Sequence, residues 1–152
     1  FILFYSLLSK DALASPNGVR EVKATSCDVI RVNVALGMTS QIVLEETPTM
    51  TLHADEEHFK IRANQNAKRS IAIIPYVDAT AVARLFPNPK GGDVFIPSGR
   101  VLAEKLDQAF KTNLFVFFKN SNQLMFELRF VEKSKADYIL SVKQAFRKDC
   151  QL

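Results

Sequence analysis

Residues 111–130, KTNLFVFFKNSNQLMFELRF, hold five of the chain's twelve phenylalanines and decide how the rest of the sequence is read. Two apolar runs flank Lys119 to Gln123, a polar segment with two Asn and one Ser, which is the composition of a hairpin turn. Pairing Phe118 with Leu124 sets Val116 opposite Phe126 and Leu114 opposite Leu128 on one face. The other face then pairs Phe115 with Glu127 and Phe117 with Met125. Side chains alternate strictly along a strand, so no register buries Leu114, Val116 and Phe118 together with Phe115 and Phe117. One face is core, and the other requires a cover.

Working outward, short strand signals separated by polar turns precede this hairpin. "EVKATSCDVIRVNVALG" places Ile30, Val32 and Val34 on one parity, and "MTSQIVLEE", "TMTLHA", "HFKIRA" and "SIAIIPYV" follow. Such spacing predicts a mainly β fold, an antiparallel β-sandwich. Residues 77–106 interrupt it with Pro87, Pro89, Gly91, Gly92, Pro97 and Gly99, which predicts a long surface excursion. At its end Leu102, Leu106 and Ala109 have helical spacing after a capping Ser98, so a short helix is expected near 101–110. Beyond Glu132, Tyr138, Ile139, Val142 and Phe146 recur among Lys135, Lys143, Arg147 and Lys148, predicting a C-terminal amphipathic helix. The expected organisation is a secretory-signal remnant at 1–14, a β-sandwich domain at 15–132 and a helical tail at 133–152.

The signal reading rests on the apolar run Phe1 to Leu8 and the small-residue site Ala12-Leu13-Ala14, in a chain that begins without Met or a basic leader. The chain has 152 residues, the size of one domain, and a net charge of +4, an excess too mild to demand an acidic partner. No apolar run approaches the ~20 residues of a membrane-spanning helix. Cys27 and Cys150, the two cysteines, either form one bridge tying the tail to the domain or remain unrelated thiols.

Catalytic chemistry has little to stand on. His53 and His58 flank carboxylates in "HADEEH", but their five-residue separation puts them on opposite faces of a strand, so a solvated turn is expected rather than a metal site. There is no G-x-S-x-G, and "PKGGD" lacks the Lys-Ser/Thr of a phosphate loop. No catalytic residue, cofactor or metal is assigned, and the protein is read as a non-enzyme. "KTNLFVFF" shares Lys111 and Phe115-Val116-x-Phe118 with an RNA-binding strand motif, yet Thr112 and Leu114 replace its glycines and Asn113 its first stacking aromatic. A single-stranded nucleic-acid-binding domain is therefore kept only as a further alternative, and nucleic acid is not the expected partner.

Thr112-Asn113-Leu114, Val116 and Phe126-Glu127-Leu128-Arg129 resemble the hairpin of the TrbG/CagX-type component of type IV secretion outer-membrane core complexes, in its N-terminal domain. "MTSQIVLEE" and "HFKIRANQNAKRSIAIIPY" are similar to that domain's earlier strands, and the likeness runs from about Val29 to Arg129, broken by the excursion. The resemblance implies a periplasmic scaffold at the outer-membrane core complex of a secretion or conjugation apparatus. Its implied partners are an outer-membrane lipoprotein, an inner-membrane scaffold protein and further copies in a ring. The family's C-terminal domain would fall after Leu152, so the chain is read as a short relative or as a piece of a longer one. Phe115, Phe117 and Met125, with Tyr138 and Phe146, are the expected partner-binding residues. The alternatives are that Tyr138, Ile139 and Phe146 form an internal lid over Phe115 and Phe117, or that the 86–99 loop is the contact of a periplasmic binding or adhesion module.

Overall fold

The computed structural model describes residues 18–64, 66–88, 90–92 and 97–145. Among these residues nine strands form two packed sheets: β1 Val19–Thr25, β2 Val29–Val34, β3 Ser40–Val43, β4 Met50–His53, β5 Phe59–Ala63, β6 Ser70–Pro75, β7 Thr112–Phe117, β8 Gln123–Phe130 and β9 Ile139–Ala145. Two helices, α1 Ala79–Arg84 and α2 Gly99–Ala109, lie between β6 and β7. The five-stranded sheet runs β1-β9-β3-β6-β5 and the four-stranded sheet β2-β8-β7-β4. The mainly β sandwich is therefore as expected.

Three features differ from the sequence reading. The C-terminal segment is a strand rather than a helix: β9 lies between β1 and β3, parallel to both. Leu140 and Val142 are buried at a spacing of two while Ile139 between β1 and β3 stays exposed, so the segment follows strand alternation, and the helical spacing of Tyr138, Ile139 and Val142 is coincidental. The domain consequently extends past residue 132. Because β2 also runs parallel to β8, the sheets are mixed rather than wholly antiparallel. The excursion is also tied down in part, since α1 buries Val82 and presents Leu85 and Phe86 to the core. Asp78 starts α1 by accepting from the Ala81 N–H at 2.6 Å, satisfying one of the helix's unpaired donors.

The core lies between the sheets. Ile42, Leu140, Ile71, Ile73 and Phe59 of one sheet meet Val32, Phe126, Leu128, Leu114 and Val116 of the other, all essentially inaccessible to water. Each such side chain contributes roughly 1.5–3 kcal/mol of burial. At one corner Arg20 of β1 reaches the carboxylate of Asp137 by two hydrogen bonds, 2.9 and 2.7 Å, while donating to the Arg31 carbonyl at 2.6 Å. Asp137, 1% exposed, also accepts from the Asn33 N–H at 2.8 Å and donates its own N–H to the Asn33 carbonyl. This clasp joins the edge strands of the two sheets and occupies backbone groups on the free edge of β2.

Candidate partner-docking face

The hairpin of residues 112–130 forms β7 and β8, with the two faces as expected and the register displaced by two residues. Leu114 stands opposite Phe126, Phe115 opposite Met125, and Val116 opposite Leu124. The displacement comes from the turn. Lys119–Ser121 makes a single 3₁₀ turn in which Asn120 and Ser121 adopt positive φ of 63° and 61°, so the Phe118 N–H already donates to the Asn122 carbonyl at 2.8 Å. Leu114, Val116, Phe118, Leu124, Phe126 and Leu128 face the core.

Phe115, Phe117 and Met125 face the other way and are half-buried, the two rings lying 6.5 Å apart at 22°. Neighbouring strands extend this surface. Val29 of β2 is opposite Met125, Leu52 of β4 is opposite Phe115, and Met50 is opposite Phe117. Val29, Met50 and Leu52 are 55%, 55% and 56% exposed, so the apolar row Val29, Met125, Phe115, Leu52 crosses all four strands without a cover from the described residues. Strand β4 has inverted polarity, with Met50 and Leu52 outward while Thr51 is opposite the core residue Val116. The spacing of Met50 and Leu52 in "TMTLHA" was the signal for this, and the sequence reading missed it, as it missed Val29.

The expected lid is elsewhere. Tyr138 leads into β9 of the opposite sheet, and its ring lies so close to Gly18 that a β-carbon there would be 2.0 Å from Tyr138 Cδ2. Phe146 lies outside the described residues, as does Cys150. Cys27, in the turn between β1 and β2, is half of a disulfide.

Charge borders the apolar row on one side. The next row is Arg31, Glu127 and Asn113, and Glu127 lies 3.4 Å from Lys111 and 3.6 Å from Arg129. Arg129 in turn grips Asp107 of α2 through Nε at 2.8 and 3.0 Å and Nη2 at 2.5 Å, while Asp107 accepts from the Phe130 N–H at 3.0 Å. Burial alone would raise the Asp107 pKa, but the hydrogen bonds and charge of Arg129 outweigh it and hold the carboxyl below its ordinary value. The Arg129 guanidinium is correspondingly raised, first by its hydrogen bond to Asp107. Beside the row, a hollow of about 470 Å³ is lined by Leu52, His53, Ala54, Lys111, Thr112, Asn113 and Phe115.

The histidines are more structured than a solvated turn. His58 Nδ1 bonds Asp55 at 2.9 Å and its ring stacks on Phe110 at 4.0 Å, while His53 Nε2 contacts the Phe59 carbonyl at 3.0 Å. Each holds a local contact, and among the described residues no three His, Cys, Asp or Glu side chains are grouped to hold a metal ion. No described helix is long and apolar enough to cross a membrane. In comparisons with known proteins, no family model and no curated protein matches this chain.

Proposed function

We propose that this protein is a non-enzymatic scaffold subunit of a type IV secretion or conjugation apparatus, located in the periplasm at the outer-membrane core complex. The observation that carries the reading is the apolar row Val29, Met125, Phe115, Leu52 on the outer face of the four-stranded sheet. Contiguous exposed apolar surface of this kind marks interaction sites, because its exposure to water is costly unless a partner covers it. The hairpin "TNLFVFFKNSNQLMFELR" that builds the row is also the part of the chain resembling the TrbG/CagX-type proteins, which supports a partner from the same apparatus, a lipoprotein, an inner-membrane scaffold or another copy. A photo-crosslinking residue placed at Leu52 in cells should yield adducts with such subunits, and one placed at Lys60 on the opposite sheet should not. Equal labelling from both positions, or none from Leu52, would remove the basis of the reading.

A further inference from the structure

The edge of the five-stranded sheet formed by β1 carries a second, independent interaction surface, and we infer that it pairs with β1 of a second copy of this chain. In a parallel ladder alternate residues turn both backbone groups toward the neighbouring strand. The Ile139 N–H donates to the Gly18 carbonyl at 3.1 Å, so Gly18, Arg20, Val22 and Ala24 face β9, and Val19, Glu21, Lys23 and Thr25 face away from it. Thr25 agrees with this assignment. Its N–H goes to Asp28 Oδ2 at 2.7 Å and its carbonyl accepts from the Asp28 N–H at 3.1 Å, both outside the sheet. Glu21 and Lys23 stand in the middle of the edge, and β1 is the terminal strand of its sheet, with β9 its one ladder partner among the described residues.

The side chains of Glu21 and Lys23 are both exposed on the outer face. An antiparallel contact with its two-fold axis at Val22 sets Glu21 of each copy opposite Lys23 of the other. Those are the residues whose backbone groups point outward, so each Glu21/Lys23 pair can exchange both hydrogen bonds. Shifting the axis to residue 21 or residue 23 keeps the backbone parity but places Glu21 against Glu21 or Lys23 against Lys23, which is destabilising. Lys23 also lies directly beside Lys143 on β9, whose own carboxylate neighbour is Glu45 at 3.9 Å. The second copy's Glu21 would bring a carboxylate to the other side of Lys23. Charges on an edge strand ordinarily oppose pairing; here their alternating sign selects one register. The contact uses the opposite sheet from the apolar row and does not rest on the function proposed for that row.

Charge reversal tests it on the full chain. Wild-type protein should show a concentration-dependent monomer–dimer equilibrium in sedimentation velocity. Glu21→Lys and Lys23→Glu should each weaken it on the order of tenfold or more, since each turns two opposite-charge pairs into like-charge pairs. The double variant E21K/K23E should recover the dimer, and an equimolar mixture of the two single variants should form heterodimers, with circular dichroism confirming that all four proteins are folded. A wild-type chain that stays monomeric, single variants that associate as wild type does, or a mixture that fails to pair would each overturn the proposal.

Discussion

Leu52 of β4 stands directly opposite Phe115 of β7, and both side chains leave the sandwich rather than enter it. Their strands meanwhile supply Thr51, Leu114 and Val116 to the inner face, so the outward pair is the necessary consequence of strand alternation once the inner residues are buried. The surface that results is apolar on both sides of the β4–β7 pairing.

Removing Arg20 should be severe, because the carboxylate it pairs with is 1% exposed. Arg20→Met leaves Asp137 with the Asn33 N–H but no counter-charge, and the expected loss is about 3–5 kcal/mol, the usual cost of breaking a buried ion pair from one side. Urea denaturation at neutral pH measures it. A loss under about 1 kcal/mol would mean that water reaches the corner and the clasp is not a buried pair.

The Asp107–Arg129 contact fixes α2 to β8 and should be felt as a pH dependence. The folded Asp107 pKa is lowered below its ordinary 3.8, so its contribution to stability is complete above that value and is lost as pH falls through the folded value. Asp107→Asn should cost about 1–2 kcal/mol at neutral pH and very little under acid conditions where the wild-type carboxyl is protonated. Parallel denaturation curves at the two pH values check the sign, and an equal loss at both would exclude the charge as the cause.

Ser40 is a small defect in the core. Its hydroxyl is in a residue 1% exposed and finds no hydrogen-bond partner among the described residues. Ser40→Ala should therefore stabilise the fold by about 1 kcal/mol, since an unsatisfied buried hydroxyl is replaced by a methyl group. A destabilised variant in the same denaturation assay would reveal a partner for that hydroxyl.

With Cys27 half of a disulfide, thiol titration of the folded protein should find no reactive cysteine, and both should appear after reduction under denaturing conditions. Two reactive thiols in the oxidised folded protein would contradict the bridge.

Much of this architecture was legible because it is local. The hairpin, its two faces and α2 follow from alternation and helical spacing over a few residues. Even the hairpin's register was missed by two positions, since the positive φ of Asn120 and Ser121 shortened the turn and no residue of the sequence forces that choice. The non-local elements were harder. β1 was not read as a strand and β9 was read as a helix, and these are the two strands that pair with each other from opposite ends of the chain, Val19 with Ile139. Pairing at that distance leaves no turn signal between partners, and the apolar residues of β9 fit two periodicities until its neighbours are known. At the candidate site, Phe115, Phe117 and Met125 could be identified from the hairpin alone, and the alternation of Val29 with Ile30 and of Met50 and Leu52 with Thr51 carried the local signal for the rest, but only the strand order sets Val29 beside Met125 and Leu52 beside Phe115 in one row.

In the proposed role the apolar face carrying Phe115 and Phe117 is covered by another subunit. The most direct measurement compares tagged wild-type protein with Phe115→Ser/Phe117→Ser in co-purification from detergent-solubilised envelopes, after both are shown to melt at similar temperatures. The wild type should retain outer-membrane and inner-membrane secretion subunits and the double variant should lose them by on the order of tenfold or more, as expected when aromatic anchors are truncated at an interface. Retention of the same subunits by a folded double variant would contradict that role.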